Sequence, residues 1–315
     1  MVFNQDGSFF TKTYWNIKFQ KNNLEENDYA KQLHDLVEES IDLRMVSDVP
    51  VGILLSSGLD SSIVATMAAK KAKDELNTYT VGFEDKIDNA YDELEESKEM
   101  AEILGTNHHE IVVNSNDAFR LLDKVTLSLD EPFGNPTTTL NYIISEFASK
   151  TSKVVLSGVG GDEMFGGYPK YRALQIFQEY KNFPKSLVKK FGGVFQKIPD
   201  SMSESIIKGK IFFDAWKENP EDQYYSLITY FKEKEKEELL NFSISLPSRR
   251  FIDELFLESK KSNAESFFEK LFFVENTSYL PNNILEYTDK TSMAVSLEVR
   301  EPLLDHKIAE FAANI

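Results

Sequence analysis

The sequence predicts an α/β fold: a doubly wound parallel sheet followed by a helical C-terminal part. Three observations predict it. Short apolar runs alternate with stretches of helical periodicity over the first half of the chain, as in parallel sheets covered on both faces. Two of those runs stop abruptly in Ser/Gly-rich turns, LLSSGLDSS and VVLSGVGGDE, at strand ends where such sheets bind ligands. From about Tyr168 to Tyr279 the only period left is helical.

Each element follows from its residues. MVFNQDGSFFTKTYWNIKF reads as two short strands joined at Asn4-Gln5-Asp6-Gly7, a hairpin too small to be stable alone. Tyr29, Leu33, Leu36, Val37 and Ile41 fall on one face of a helix. Val51–Leu55 is a buried strand and Ser61–Lys71 a helix. Asn77–Phe83 is a strand, Asp92–Leu104 a helix ended by Gly105, and His108–Val113 a strand. Ala118–Leu129 and Thr139–Lys150 are helices, and Lys153–Leu156 is a strand. In the helical remainder, FKEKEKEELL is a solvated helix face, and the many aromatics are core.

Composition narrows the function. The chain has 315 residues, 41% hydrophobic and 28% charged, enough for one large or two ordinary domains. With 35 basic and 52 acidic residues the net charge is −17, which argues against nucleic acid as a partner. The absence of cysteine removes disulfides, zinc–thiolate sites and a cysteine nucleophile, and suits a reducing cytoplasm, the expected location. No apolar run approaches the roughly 20 residues of a membrane span. The opening MVFNQDGSFF lacks the basic and apolar regions of a signal peptide.

The turn from Ser56 to Ser62 gathers backbone N–H groups, hydroxyls and a helix N-terminus at one point. Such a point binds anions through orphan donors and the helix dipole. A Ser- or Asp-capped turn with no ligand is the plain alternative. No Walker A pattern occurs in the chain. The residues Ser56, Ser57, Gly58, Leu59, Asp60, Ser61 and Ser62 resemble the S-G-G-x-D-S pyrophosphate loop of the ATP pyrophosphatase (PP-loop) superfamily. Its members cleave ATP between the α and β phosphates and adenylate a substrate. Ser57 stands where that family usually has Gly; its Cβ narrows φ/ψ but keeps the N–H donor.

Three further segments extend the resemblance. LSGVGGDEMFGGYPKYR (156–172) is similar to the LSG[DE]G[GS]DE-x-FGGY loop of glutamine-dependent asparagine synthetases. DEPFGNPT (130–137) resembles the family's D-E-P segment, and YTDKTSMAVSLEVREPLLDH (287–306) its D-[KR]-x-S-M tail motif. The likeness covers the chain from about Asn22 onward.

The resemblance implies a PP-loop fold and assigns roles. Asp60 and Asp162 would hold Mg²⁺ through hard carboxylate oxygens. Their plain alternatives are a first-turn helix acid and a loop acceptor. Lys290 would stabilise negative charge on the phosphates of ATP, and Asp162, Glu163 and Arg300 join it as catalytic candidates. Asp289, Glu298 and Arg300 would form a supporting ion network. Leu55, Val81, Gly82, Ser157 and Gly158 would contact the adenosine. The pair His108 and His109 looks like a metal site, but neighbours on a strand point to opposite faces, which favours a structural role. Val159 departs from the family, which carries Asp or Glu there, an acid tied to forming the aspartyl adenylate. Glu163 or Asp130 substitutes for it, the substrate differs, or activity is reduced.

The expected function is ATP-dependent amidation of aspartate to asparagine through β-aspartyl-AMP, with release of AMP and pyrophosphate. Aspartate and ammonia are the expected substrates, and a glutaminase domain or subunit the expected partner, with a homodimer left open. Residues 1–22 resemble the last hairpin and linker of that glutaminase domain, and 23–315 the synthetase domain, expected to be truncated at its C-terminus. Two alternatives stand: a related amidotransferase or cyclase acting on another carboxylate or sugar, and a degenerate nucleotide-binding subunit without catalysis.

Overall fold

The computed structural model describes residues 1–20, 22, 24–72, 75–84, 93–199, 204–217, 219–243 and 248–315. Two compact units emerge, Met1–Phe165 with Glu275–Ile315, and Gly166–Val274.

The first unit begins with an antiparallel hairpin, β1 (Val2–Phe3) and β2 (Phe9–Phe10), turned at Gly7 with φ +83°. An extended segment follows; Trp15 Nε1 donates to Glu310 at 2.8 Å, and Ile17 and Phe19 are buried. α1 (Glu26–Arg44) buries Val37 and Ile41, the face read from the sequence. Then come β3 (Val51–Leu54), α2 (Leu59–Lys71), β4 (Asn77–Phe83), α3 (Leu94–Leu104) and β5 (Asn107–Val113). Gly105 ends α3 in the left-handed region at φ 65°, where glycine has no Cβ penalty. Asp92, the expected start of that helix, lies outside the described residues. α4 (Ser115–Ser128) starts on an Asn114–Asp117 capping box, and α5 (Thr137–Ala148) leads to β6 (Val154–Leu156) and the short α6 (Gly161–Phe165).

The second unit is helical among its described residues: α7 (Pro169–Glu179), α8 (Lys185–Phe195), α9 (Glu204–Ala215), α10 (Pro220–Ile228), α11 (Glu233–Leu240), α12 (Ser248–Glu258) and α13 (Phe267–Val274). Phe177, Tyr224, Phe256 and Leu271 share its core, so these aromatics are packing residues. α11 buries nothing, as its charge run requires. The chain then returns to the first unit through a π-helix (Glu275–Leu285), α14 (Glu286–Met293), β7 (Glu298–Arg300) and α15 (His306–Ala312).

The main sheet has the order β5-β4-β3-β6-β7, and all its pairs are parallel. Its two faces are separated by strand parity. Leu54, Tyr79, Val81, Val155, Leu297 and Val299 pack with Ile144 and Ala148 of α5 on one face. A Cβ on Gly82, one residue on from Val81, would meet Leu94 of α3 at 2.2 Å, so α3 covers the other. α14 and α4 touch α5, while α1 and α3 touch α2, giving a helical layer on each side. The doubly wound sheet expected from the sequence is therefore present, with β7 added. The burial of Ile53, Tyr79, Val155 and Leu156 at its centre contributes about 1.5–3 kcal/mol per large apolar side chain. No helix among the described residues is long and apolar enough to cross a membrane.

Candidate active site

Chain order reverses between β3 and β6. The chain runs outward from β3 to β4 and β5, then returns to lay β6 on the other side of β3. Ligands of such sheets bind at this switch point, outside the carboxyl ends of the strands. Both Ser/Gly turns leave there.

The first turn is held by its own hydroxyls. The Ser56 N–H donates to Ser61 Oγ at 3.1 Å, the two hydroxyls lie 2.8 Å apart, and Ser61 Oγ lies 3.0 Å from the Ser56 carbonyl and 3.1 Å from that of Gly58. Gly58 is the helix cap and makes no side-chain cap bond, so α2 begins at Leu59, two residues before the expected Ser61. Asp60 thereby enters the first turn of the helix. The N–H groups of Leu59, Asp60 and Ser61 take no acceptor among the described residues. The Ser57 N–H already takes an anionic one, Glu93 Oε2 at 3.1 Å. These are the outward donors an anion needs.

The second turn is pressed against the first. A Cβ on Gly158 would stand 2.5 Å from the Ser61 nitrogen, and one on Gly161 2.2 Å from the Asp60 carboxylate. Gly160 has φ +112° and donates its N–H to Glu163 Oε2 at 3.0 Å. Glu163 is only 4% exposed, so this acid is built into the turn. The Val159 N–H donates to Ser157 Oγ at 3.3 Å, and the Ser157 N–H to the Arg300 carbonyl at 3.0 Å.

The contact of the two turns gathers acids. Burial pushes the Asp60 carboxyl above its usual range, and the charges of Asp162 and Glu163 push it further. A divalent cation between Asp60 and Asp162 would relieve that repulsion, and hard carboxylate oxygens suit Mg²⁺, which takes one or two carboxylates and completes its shell with phosphates and water. Among the described residues, the group of three ligating side chains within 4.8 Å of one another is the exposed His34, Asp35 and Glu38 on α1, which shares no residue with the turns.

The other predicted residues fall differently. Lys290, on α14, ion-pairs Asp130 and lies 3.9 Å from Glu286. The hydrogen bond to Asp130 raises its pKa and holds it protonated. This joins the D-E-P and tail segments, and no described contact joins Lys290 to either turn. The Arg300 guanidinium caps the end of α1, donating to the carbonyls of Arg44 at 2.7 Å and Val46 at 2.8 Å, and pairs with Glu298 at 2.7 Å. Among the described residues, only its backbone carbonyl reaches the second turn, at the Ser157 N–H. Asp289 is absent from the Arg300–Glu298 pair. Leu55 is 3% exposed, with its N–H on the Tyr79 carbonyl and its own carbonyl on Thr80 Oγ1. Val81 and Gly82 pair with β5, while β3 ends lower, beside Tyr79, leaving the other edge of β4 open. His108 meets Thr78 Oγ1 at 2.9 Å, whereas His109 stacks on Tyr79, on the opposite face.

One group escaped the sequence reading. Burial raises the Glu301 carboxyl to about 7, with Asp289 adding to the shift and Arg44 opposing it. Tyr287, on α14, is raised to about 12 by burial and by Tyr279, Glu163 and Glu301. Glu301 sits inside the quoted V-R-E-P segment, but its burial is tertiary and left no local signal.

The asparagine synthase family model matches residues 32–315. Asparagine synthetase [glutamine-hydrolyzing] 1 of Bacillus subtilis is 32% identical over 98% of this chain and 47% of its own length. Asparagine synthetase [glutamine-hydrolyzing] 3 of the same organism is 29% identical over all of this chain and 47% of its own length. A putative asparagine synthetase of Mycobacterium tuberculosis is 29% identical over 92% of this chain and 43% of its own length. The chain spans about half the length of the curated relatives it matches. With a family match over most of its residues, the chain belongs to the asparagine synthase family.

Proposed function

We propose that this chain carries out the ATP-dependent amidation of aspartate to asparagine. The observation that carries the reading is the seating of the second turn on the first, with Gly158 against the Ser61 backbone and Gly161 against the Asp60 carboxylate. The family membership and the names of the relatives support the same activity.

In this reading the pyrophosphate of ATP lies on the N–H groups at the start of α2, with the hydroxyl-stitched Ser56–Ser61 turn holding them in place. Asp60 and Asp162 would hold Mg²⁺, which would neutralise charge on the phosphates and the leaving pyrophosphate. The aspartate β-carboxylate attacks the α-phosphate and forms β-aspartyl-AMP. Lys290, kept protonated by Asp130, offsets the negative charge that two anionic reactants bring together. Leu55, Val81, Gly82, Ser157 and Gly158 line the adenosine side. Ammonia then displaces AMP. A glutaminase domain or subunit supplies that ammonia from glutamine, and residues 1–22 belong to the connection with it, while 23–315 form the synthetase domain. The site of action is the cytoplasm.

The test is aspartate-dependent ATP–pyrophosphate exchange with Mg²⁺ and saturating ATP. Exchange with aspartate, and none without it, is the expected result. Its absence overturns the reading.

A further inference from the structure

The carboxyl edge of the sheet carries an acid outside the roles assigned so far. Glu301 follows β7 directly, one residue beyond the Leu156–Arg300 register pair, and so stands beside Ser157. Val155 and Val299 pack on the α5 face. Alternation carries Ser157 and Glu301 onto that same face. Arg300, between them in parity, turns to the opposite side and binds the end of α1. α14 touches both α5 and β7 and so covers the face on which Glu301 lies. Glu301 therefore sits between the second turn and α14, where its charge reaches Tyr287 and the charge of Asp289 reaches it.

Four other acids near this edge have roles. Asp130 holds Lys290, Glu163 accepts the Gly160 N–H, and Asp60 and Asp162 are the proposed cation ligands. Val159 offers no acid at all. The Glu301 carboxylate, in contrast, takes a hydrogen bond from its own backbone N–H and makes no hydrogen bond or ion pair with another residue among the described residues. Burial brings it to about 7, where a carboxyl gives and takes protons with equal ease.

We propose that Glu301 is the proton acceptor in the amide-forming step, an inference that rests on the function proposed above. The ammonia lone pair forms the C–N bond at the β-acyl carbon of the adenylate. The C–O bond to phosphate breaks, and AMP leaves with its electron pair. The surplus N–H proton passes to the Glu301 carboxylate and from there to water.

Glu301→Gln keeps the shape and removes the acceptor. The chain is assayed with Mg-ATP, aspartate and ammonium chloride, following pyrophosphate exchange and asparagine formation separately. Exchange is expected to stay within about twofold of wild type while asparagine formation falls about 100-fold or more. At constant free ammonia the wild-type amide rate should rise through neutral pH, and that rise should vanish in the variant. The charged and titratable groups facing Glu301, namely Arg44 of α1, Asp289 and Tyr287 of α14 and, through Tyr287, Glu163 of α6, are intact in both proteins. Should the Gln variant misfold, Glu301→Asp decides, with exchange retained and amide formation at least about tenfold down. Asparagine formation at the wild-type rate overturns the inference. So does a parallel loss of both activities in a variant that melts at the wild-type temperature. A wild-type chain with no aspartate-dependent exchange overturns the proposed function and this inference with it; an exchanging wild type beside an unimpaired Gln variant overturns this inference alone.

Discussion

Two turns leave neighbouring strands at the same edge of the sheet, and they differ in how far each depends on its neighbours. After β3, the Ser61 hydroxyl binds the Ser56 N–H and lies within hydrogen-bond reach of two carbonyls of its own turn. After β6, Ser157 Oγ and Glu163 Oε2 also take N–H groups of the turn, but its path is set as well by what the backbone touches: Gly158 on Ser61, Gly161 on Asp60, and Gly160 against Leu304 at φ +112°. A turn stitched by its own side chains keeps its shape wherever the neighbours sit. A turn shaped by glycine contacts depends on them, and so transmits displacement from one to the other.

Asp60 is where the two meet, and its replacement should have the largest effect. Asp60→Asn is expected to lower ATP–pyrophosphate exchange by about 10²–10³, since it removes a proposed cation ligand. The same change should leave the ligand-free chain as stable or more so. Burial and two neighbouring acids hold the Asp60 carboxyl above its usual range, so its charged form weakens the fold as pH rises through that raised value. Thermal melting at neutral pH without nucleotide, beside the exchange assay, checks both halves. A variant that loses stability and keeps exchange would make Asp60 a structural acid.

Gly158→Ala tests the dependence of the second turn on the first. Its Cβ would stand 2.5 Å from the Ser61 nitrogen and 2.8 Å from the Ser61 Cα, backbone atoms that cannot rotate away. The expected cost is about 3 kcal/mol, the upper end for overpacking, with exchange lost as the turns separate. Denaturant unfolding reads the first and the exchange assay the second. A neutral result would mean the turns are not in contact.

The same contrast explains what could be read in advance. β3 and β6 announce themselves as short apolar runs, and β4 by the β-branched and aromatic residues of NTYTVGF. β7 does not, since Glu298-Val299-Arg300 is two-thirds charged and is a strand only because β6 offers an unpaired edge. The first turn was legible as a cradle because its hydroxyls lie within six residues of one another. The pairing of Asp60 with Asp162 rested on the motifs, since the glycines that bring them together join turns far apart in sequence. Arg300 was read by its chemistry, but the pleat turned it toward α1. Glu301 was missed because burial, not its neighbours in sequence, makes it unusual.

Ser61→Ala examines the first turn from within. It leaves the Ser56 N–H without its acceptor, and the Ser56 hydroxyl with only the Gly58 N–H, in a site where Ser61 itself is 6% exposed. The expected cost is about 1–2 kcal/mol, smaller than that of Gly158→Ala because Ser56 can still reach water. Urea unfolding measures it. A cost above that of Gly158→Ala would reverse the ranking of the two turns.

The smallest effect is expected at Ser57, where the family usually has glycine. A glycine is required in a turn when φ is positive or when a Cβ has no room. Among the described residues, the non-glycine residues with positive φ are Asn241, Asn263 and Ser296, so Ser57 lies in an ordinary backbone region. Its side chain is exposed, and its N–H points outward to Glu93 Oε2. Ser57→Gly keeps that donor and adds only freedom to the unfolded chain, which costs about 0.5 kcal/mol. Exchange should stay within about twofold of wild type, and the melting temperature should fall slightly. A gain of tenfold or more in exchange would mean that the Cβ had been holding the cradle away from its working path, and that the first turn is less self-sufficient than its hydroxyl bonds make it.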